Sequence, residues 1–244
     1  MICISSPRSP DISSIILARE ELSCPGIDMK RKKILIQCDF DGTVTEKDVS
    51  NLLLDAYAED GWKKLLKDYQ DGKITVEMFN IQAFAMVSAS KERLIEAVRA
   101  GASFRPGFQQ FVRYCIQRRI KMAIVSNGLD FYICSMLRDA SLEGISIYSA
   151  QAYFRHDGIK VIYLGPDRKP LRSGFKEKFA MSFVEQGYWL TYLGNGKSDI
   201  SPCKHAHMVF ATGDLIGLLR REKVDFIPFR DFNHILKVLE KGIK

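Results

Sequence analysis

The sequence predicts an α/β protein: a Rossmann-like, doubly wound parallel sheet with a small helical cap inserted after the first strand. Three observations carry this. Short apolar runs alternate with segments whose apolar residues recur at three-to-four spacing, the pattern of strands separated by helices. The first run is apolar at nearly every position, as a parallel strand buried on both faces requires. After it comes an all-helical stretch of about 55 residues, too long for an ordinary βα connection.

Taken in order, residues 1–28 carry serines and prolines with little periodicity, and a disordered extension is expected there. Met29, which abuts Lys30-Arg31-Lys32-Lys33, is a candidate second start of translation. Residues 29–48 and 105–244 are expected to form the core, and 49–104 the cap. The first strand, Ile34 to Cys38, ends in Asp39-Phe40-Asp41-Gly42-Thr43. Helical spacing then covers Asn51–Tyr57, Trp62–Tyr69, Thr75–Met86 and Lys91–Ala100, with Asp71-Gly72 as a breaker. Arg105-Pro106-Gly107 returns the chain to the core, Pro106 being suited to a helix start. A helix (Phe108–Arg118), a buried strand (Lys121–Val125), the turn Ser126-Asn127-Gly128 and a helix (Phe131–Asp139) follow. Ala150–Arg155 and Ile159–Tyr163 flank Asp157-Gly158 as a β-hairpin. The helix Phe175–Gln186 stops at Gly187 and leads to the strand Trp189–Leu193. Gly194-Asn195-Gly196-Lys197-Ser198-Asp199, a strand at Met208–Ala211 and a helix at Leu215–Arg221 complete the alternation.

Composition narrows the function classes. No run approaches the length of a membrane span or a signal-peptide core, so a soluble cytoplasmic protein with no membrane partner is expected, as monomer or homodimer. The six cysteines have no Cys-x-x-Cys pair and suggest neither a zinc knuckle nor a disulfide framework. A net charge of +7 and a pI near 9.0 favour an anionic partner. The candidates are a phosphorylated small metabolite and nucleic acid, which composition does not separate; no basic stretch is interleaved with aromatics as single-strand binders require, and a nucleic-acid partner, suggested by the net charge alone, is not expected. His205 and His207 alternate before Met208 and read as a half-exposed strand edge rather than a metal pair.

Three core strands thus end in polar, glycine-bearing turns, and in a parallel sheet those ends share one edge. Asp39 and Asp41, two residues apart on an extended segment, face the same way. Two carboxylates held so close need a cation or a proton between them. Gly42 lets the backbone turn sharply, leaving amides free for an anion. A hydroxyl, turn amides and a lysine suit a phosphoryl group; paired carboxylates with a further oxygen ligand suit Mg²⁺.

These residues resemble the haloacid dehalogenase superfamily of phosphatases. Asp39-Phe40-Asp41-Gly42-Thr43 is similar to its nucleophile motif, Ser126-Asn127-Gly128 to its second motif, Lys176 to its lysine and Gly194 to Asp199 to its acidic metal motif. The resemblance spans residues 33–244, and the insertion is similar to the cap of the phosphoserine phosphatase branch. Pro106-Gly107-Phe108, Gly128 to Ile133, Ser173 to Lys176, Val209 to Ala211 and Ile227 to Phe232 resemble the 2-hydroxy-3-keto-5-methylthiopentenyl-1-phosphate phosphatases of methionine salvage.

The resemblance implies that Asp39 attacks phosphorus and that Asp41 acts as general acid and base. It implies phosphate contacts from Gly42, Thr43, Ser126, Asn127, Gly128 and Lys176, and Mg²⁺ held by Asp39, Asp41, Asn195 and Asp199. Two features depart from the family. Asn195 stands where an aspartate is usual, and the cap helix around Val76–Phe84 lacks the arginine that phosphoserine phosphatases use for the substrate carboxylate. The apolar cap suits a thioether or alkyl tail, although Met78, Phe79, Ile81 and Phe84 serve equally to pack the cap itself. A phosphoserine or phosphoamine phosphatase and a catalytically weak phosphate-binding relative are the alternatives.

Overall fold

The computed structural model describes residues 32–142 and 144–242, and the extension expected at 1–28 lies outside them. Among the described residues eight strands form one sheet in the order β5-β4-β3-β2-β1-β6-β7-β8. The strands are β1 (Ile34–Cys38), β2 (Lys121–Leu129), β3 (Ser146–Arg155), β4 (Gly158–Leu164), β5 (Pro170–Leu171), β6 (Trp189–Gly194), β7 (Met208–Ala211) and β8 (Ile227–Pro228). From β3 to β8 neighbouring strands are parallel, and β4 and β5 add an antiparallel flap. The chain winds out from β1 in both directions, to β2 on one side and β6 on the other. Such a reversal leaves a crevice at the carboxyl ends of the strands.

Four helices stand between β1 and the rest of the sheet: α1 (Val49–Tyr57), α2 (Trp62–Gln70), α3 (Val76–Phe84) and α4 (Lys91–Gly101). Side-chain caps start three of them sharply. Asp48, Thr75 and Ser90 accept from the amides of Asn51, Met78 and Arg93. Where the chain leaves and re-enters the core, Glu46 N–H donates to Ser103 O (3.1 Å) and Arg105 N–H to Val44 O (2.7 Å), so the two connections pair antiparallel. Phe79 and Phe84 are buried, and Phe79 stacks on Tyr69 within the helical unit; Met78 and Ile81 stay half-buried.

The remaining helices are α5 (Phe108–Gln117), α6 (Asp130–Asp139), α7 (Phe175–Glu185), α8 (Ile200–Cys203), α9 (Leu215–Glu222) and α10 (Phe232–Gly242). Helix α10, not anticipated from the sequence, packs on α5 through Phe232, whose ring meets Phe108 at 5.0 Å and Phe111 at 5.1 Å. Two strands are longer than periodicity suggests. The polar Ser126-Asn127-Gly128 stays extended inside β2, with a register irregularity between Val125 and Leu129. Strand β3 begins at Ser146 because its first half pairs with β2 and only its second half belongs to the hairpin. Cys38, Cys115 and Cys203 are buried and Cys134 half-buried, all four as free thiols.

Candidate active site

Register brings the expected residues to one edge. Cys38 pairs with Ile124 on one side and Leu193 on the other, so Ser126 and Asn195 lie beside the chain as it leaves β1. Asp39 N–H donates to Leu193 O (2.9 Å), which holds Asp39 against the last loop. Lys176, in the first turn of α7, is anchored through its carbonyl, which accepts from Gln37 Nε2 at 2.9 Å.

The centre is a buried triad of charges. Lys176 Nζ lies 2.7 Å from Asp39 Oδ1 and 2.7 Å from Asp199 Oδ1, and it donates to Ser198 Oγ at 3.2 Å. Burial alone would pull the Lys176 ammonium down, but Asp199 and Asp39 hold it well above its usual value. Burial pushes the Asp39 carboxyl up to about 7, against the lowering pull of Lys176. Asp199 is fully buried and its oxygens are spent. Oδ1 also accepts from Tyr192 O–H (2.7 Å), and Oδ2 accepts from the amides of Asn195 and Gly196, both at 2.9 Å.

The other Asp39 oxygen faces a different group. The amide atom of Asn195 turned toward the site lies 3.1 Å from Asp39 Oδ2, 3.2 Å from the Asp41 carbonyl and 3.0 Å from Thr43 Oγ1. With the amide oxygen there, three acceptors converge with no donor among Asp39, Asp41 and Asn195, which is what a hard cation requires; with the nitrogen there, the amide supplies the donors itself. Among the described residues no three His, Cys, Asp or Glu side chains come together as a cation site. A cation here therefore rests on one carboxylate, one carbonyl and one amide, a set that fits Mg²⁺ completed by waters.

Asp41 is held differently. Its Oδ1 accepts from Val49 N–H at the start of α1 (3.1 Å) and its Oδ2 from Tyr132 O–H (2.6 Å), which also bonds Ser50 Oγ at 2.9 Å. Desolvation, with Asp48 adding repulsion, raises Asp41 well above the ordinary carboxylate range, so it holds a proton readily. A Cβ at Gly128 would fall 1.9 Å from Tyr132 Oη and 2.2 Å from Asp41 Oδ2. Only glycine permits that approach.

The expected phosphate contacts divide. Ser126 Oγ accepts from Gly128 N–H (3.0 Å), leaving its own proton free to donate, and Lys176 stands beside Asp39. Gly42, at φ +72°, makes the sharp turn, but its N–H donates to Thr45 Oγ1 (3.1 Å). Thr43 N–H donates to Phe40 O (3.2 Å) and its hydroxyl lies against Asn195. Both are engaged within the loop. The Asn127 carbonyl accepts from Asn80 Nδ2 (2.9 Å) and Tyr163 O–H (2.6 Å), while its side-chain oxygen is buried without a partner among the described residues.

Two positioning residues were not singled out from the sequence. Tyr132 sits in the quoted Gly128–Ile133 stretch, yet nothing in the sequence says that its hydroxyl meets Asp41. Arg105 donates to the carbonyls of Thr43 (2.9 Å), Gly42 (2.6 Å) and Arg230 (3.1 Å), clamping the loop after Asp39 from behind. Its place at the chain's return from the inserted helices was the available signal.

A model of the haloacid dehalogenase-like hydrolases matches residues 36–201. The chain is 25% identical over 214 residues, 86% of its length and 96% of its counterpart's, to a 2-hydroxy-3-keto-5-methylthiopentenyl-1-phosphate phosphatase of Brevibacillus brevis. It is also 25% identical over 236 residues, 87% of this chain and 97% of the other, to Pdp3-interacting factor 1 of Schizosaccharomyces pombe. A solved structure of a phospho-aspartyl intermediate analogue of phosphoserine phosphatase shares the fold, with TM-score 0.65 at 21% identity over 85% of this chain and 99% of that one. Motif order and sheet-edge geometry agree with a family match over well more than half the chain, which belongs to the haloacid dehalogenase-like hydrolases.

Proposed function

We propose that this hydrolase is a Mg²⁺-dependent phosphatase that cleaves a small-metabolite phosphomonoester through an aspartyl-phosphate on Asp39. Phosphomonoester hydrolysis accords with the names of the bacterial relatives and of the structural neighbour. The observation that carries the mechanism is the split use of Asp39: one oxygen pairs with Lys176 and the other faces the Asp41 carbonyl and Asn195.

In this reading the Asp39 carboxylate attacks phosphorus as the ester P–O bond breaks, and Asp41 gives its proton to the leaving oxygen. Asp41, now a carboxylate, takes a proton from the water that attacks the aspartyl-phosphate, which releases phosphate and restores Asp39. Lys176 and Ser126 hold the phosphoryl oxygens, and Tyr132 with Val49 N–H keeps Asp41 aimed. Asp39, the Asp41 carbonyl and Asn195 would hold Mg²⁺, whose positive charge would offset repulsion between carboxylate and phosphate. Asp199, with four donors on its two oxygens, supports Lys176 and the Asn195 loop rather than a cation directly.

The leading substrate is 2-hydroxy-3-keto-5-methylthiopentenyl-1-phosphate, after the bacterial relatives. Helix α3 carries no cationic residue to meet a substrate carboxylate, and Met78 and Ile81 stay half-buried. Phosphate release from a panel of small phosphomonoesters, with Mg²⁺ and with chelator, tests this. Metal-dependent release that favours an uncharged-tail ester and disappears in Asp39→Asn is expected. A fully active Asp39→Asn protein sinks the mechanism, and preference for phosphoserine moves the substrate to the amino-acid class. Tight phosphate binding without turnover assigns a binding role.

A further inference from the structure

Helix α2 ends at Gln70, and the last carbonyls of a helix have no partner within it. The Tyr69 and Gln70 carbonyls accept from Lys197 Nζ, at 3.1 and 3.0 Å. A cation is favoured at this end of a helix, where the aligned peptide dipoles leave negative charge. The same ammonium lies 5.5 Å from the centre of the Tyr69 ring, which stacks on Phe79 of α3 at 5.9 Å and 18°. Tyr69 is therefore gripped on two sides, by a neighbouring cap helix and by a loop lysine two residues beyond Asn195. The next residue of that loop is Ser198. Ser198 Oγ is 3.2 Å from Lys176 Nζ, which is 2.7 Å from Asp39.

We propose that Lys197 is a positioning residue that latches the cap onto the Gly194–Asp199 loop and so fixes where α2 lies relative to Asn195. The latch stands on the described contacts, while its bearing on catalysis rests on the phosphatase reading. Lifting α2 away breaks both Lys197 hydrogen bonds together, so one side chain couples cap position to the loop that carries Asn195. Lys197 is exposed, so its replacement leaves the core unaltered.

Hydrogen exchange of the purified full chain reads the latch without turnover. Lys197→Ala is expected to raise exchange at least fivefold across residues 62–84 while β1, β2 and β6 keep their protection. Lys197→Arg, which keeps a cation at the carbonyls, is expected to stay near wild type. Equal protection of α2 in all three proteins overturns the latch. A wild type that shows the latch but turns over no ester counts against the phosphatase reading alone, since hydrogen exchange does not depend on turnover.

Discussion

Asn195 places an amide where the resembling family usually has a carboxylate, so the proposed cation shell would carry one negative charge fewer. Asn195→Asp is therefore expected to lower the Mg²⁺ concentration that half-saturates phosphate release by at least fivefold. A titration in which that concentration is unchanged would mean that residue 195 is no ligand. Lys176 is the other pivot. Lys176→Met leaves Asp39 and Asp199 buried and unpaired, so activity should vanish and urea unfolding should show a loss of about 3–5 kcal/mol. A stable, active Lys176→Met protein would contradict the triad's role. Asp39 was legible in the sequence because it ends an apolar run at a glycine-bearing turn, and Ser126 because a polar, glycine-bearing segment follows an apolar run, although that segment stays extended in β2; Lys176 was placed by the family resemblance. Neither Tyr132 nor Arg105 was legible, because what they do depends on atoms far off in the chain: Tyr132 on the Asp41 carboxylate, Arg105 on the Gly42 and Thr43 carbonyls.

Strands and helices obey local rules, with exceptions where two partners compete for one segment. Periodicity located β1, the inserted helices and α7 to within a few residues. It missed the length of β3, which serves the parallel sheet and a hairpin in turn. It also missed α10, whose first residue, Phe232, is buried against Phe108 and Phe111 of α5. Phe232→Ala should cost about 3–5 kcal/mol in denaturant unfolding. A much smaller cost would show that α10 is a loosely attached tail. At the far edge of the sheet, His207 Nδ1 accepts from Leu190 N–H (3.1 Å) while the ring stacks on Trp189. Burial, then Lys32, holds its pKa below 6.5. The unfolded chain thus binds the proton more readily, and stability falls as pH drops below about 6.5. Replacing His207 with Phe, which keeps the stack, should shrink the loss of Tm between pH 7 and 5. An identical loss in both proteins would place the acid sensitivity elsewhere.

Across the whole molecule the site is an assembly of separate pieces: one sheet edge, the start of α7, and a cap seated through Asn80, Lys197 and Glu77, whose carboxylate accepts from Phe175 N–H at 2.8 Å. A cation bound only by the folded assembly stabilises it. Millimolar Mg²⁺ should therefore raise Tm relative to chelator, and Asn195→Ala should cancel most of the shift in a thermal melt. A shift that survives the substitution would locate the cation elsewhere. By itself the sequence determined the alternation of strands and helices, the run of helices after β1 and the polar, glycine-bearing segments at the ends of three core strands. Those follow from hydrophobic period and turn chemistry, which are local. Only the tertiary structure decided which oxygens of Asp39, Asp41 and Asp199 are free, how Asp41 is aimed and how the cap is fastened. Those depend on partners far apart in the chain, such as Gln37 and Lys176, 139 residues apart, and no local pattern encodes them.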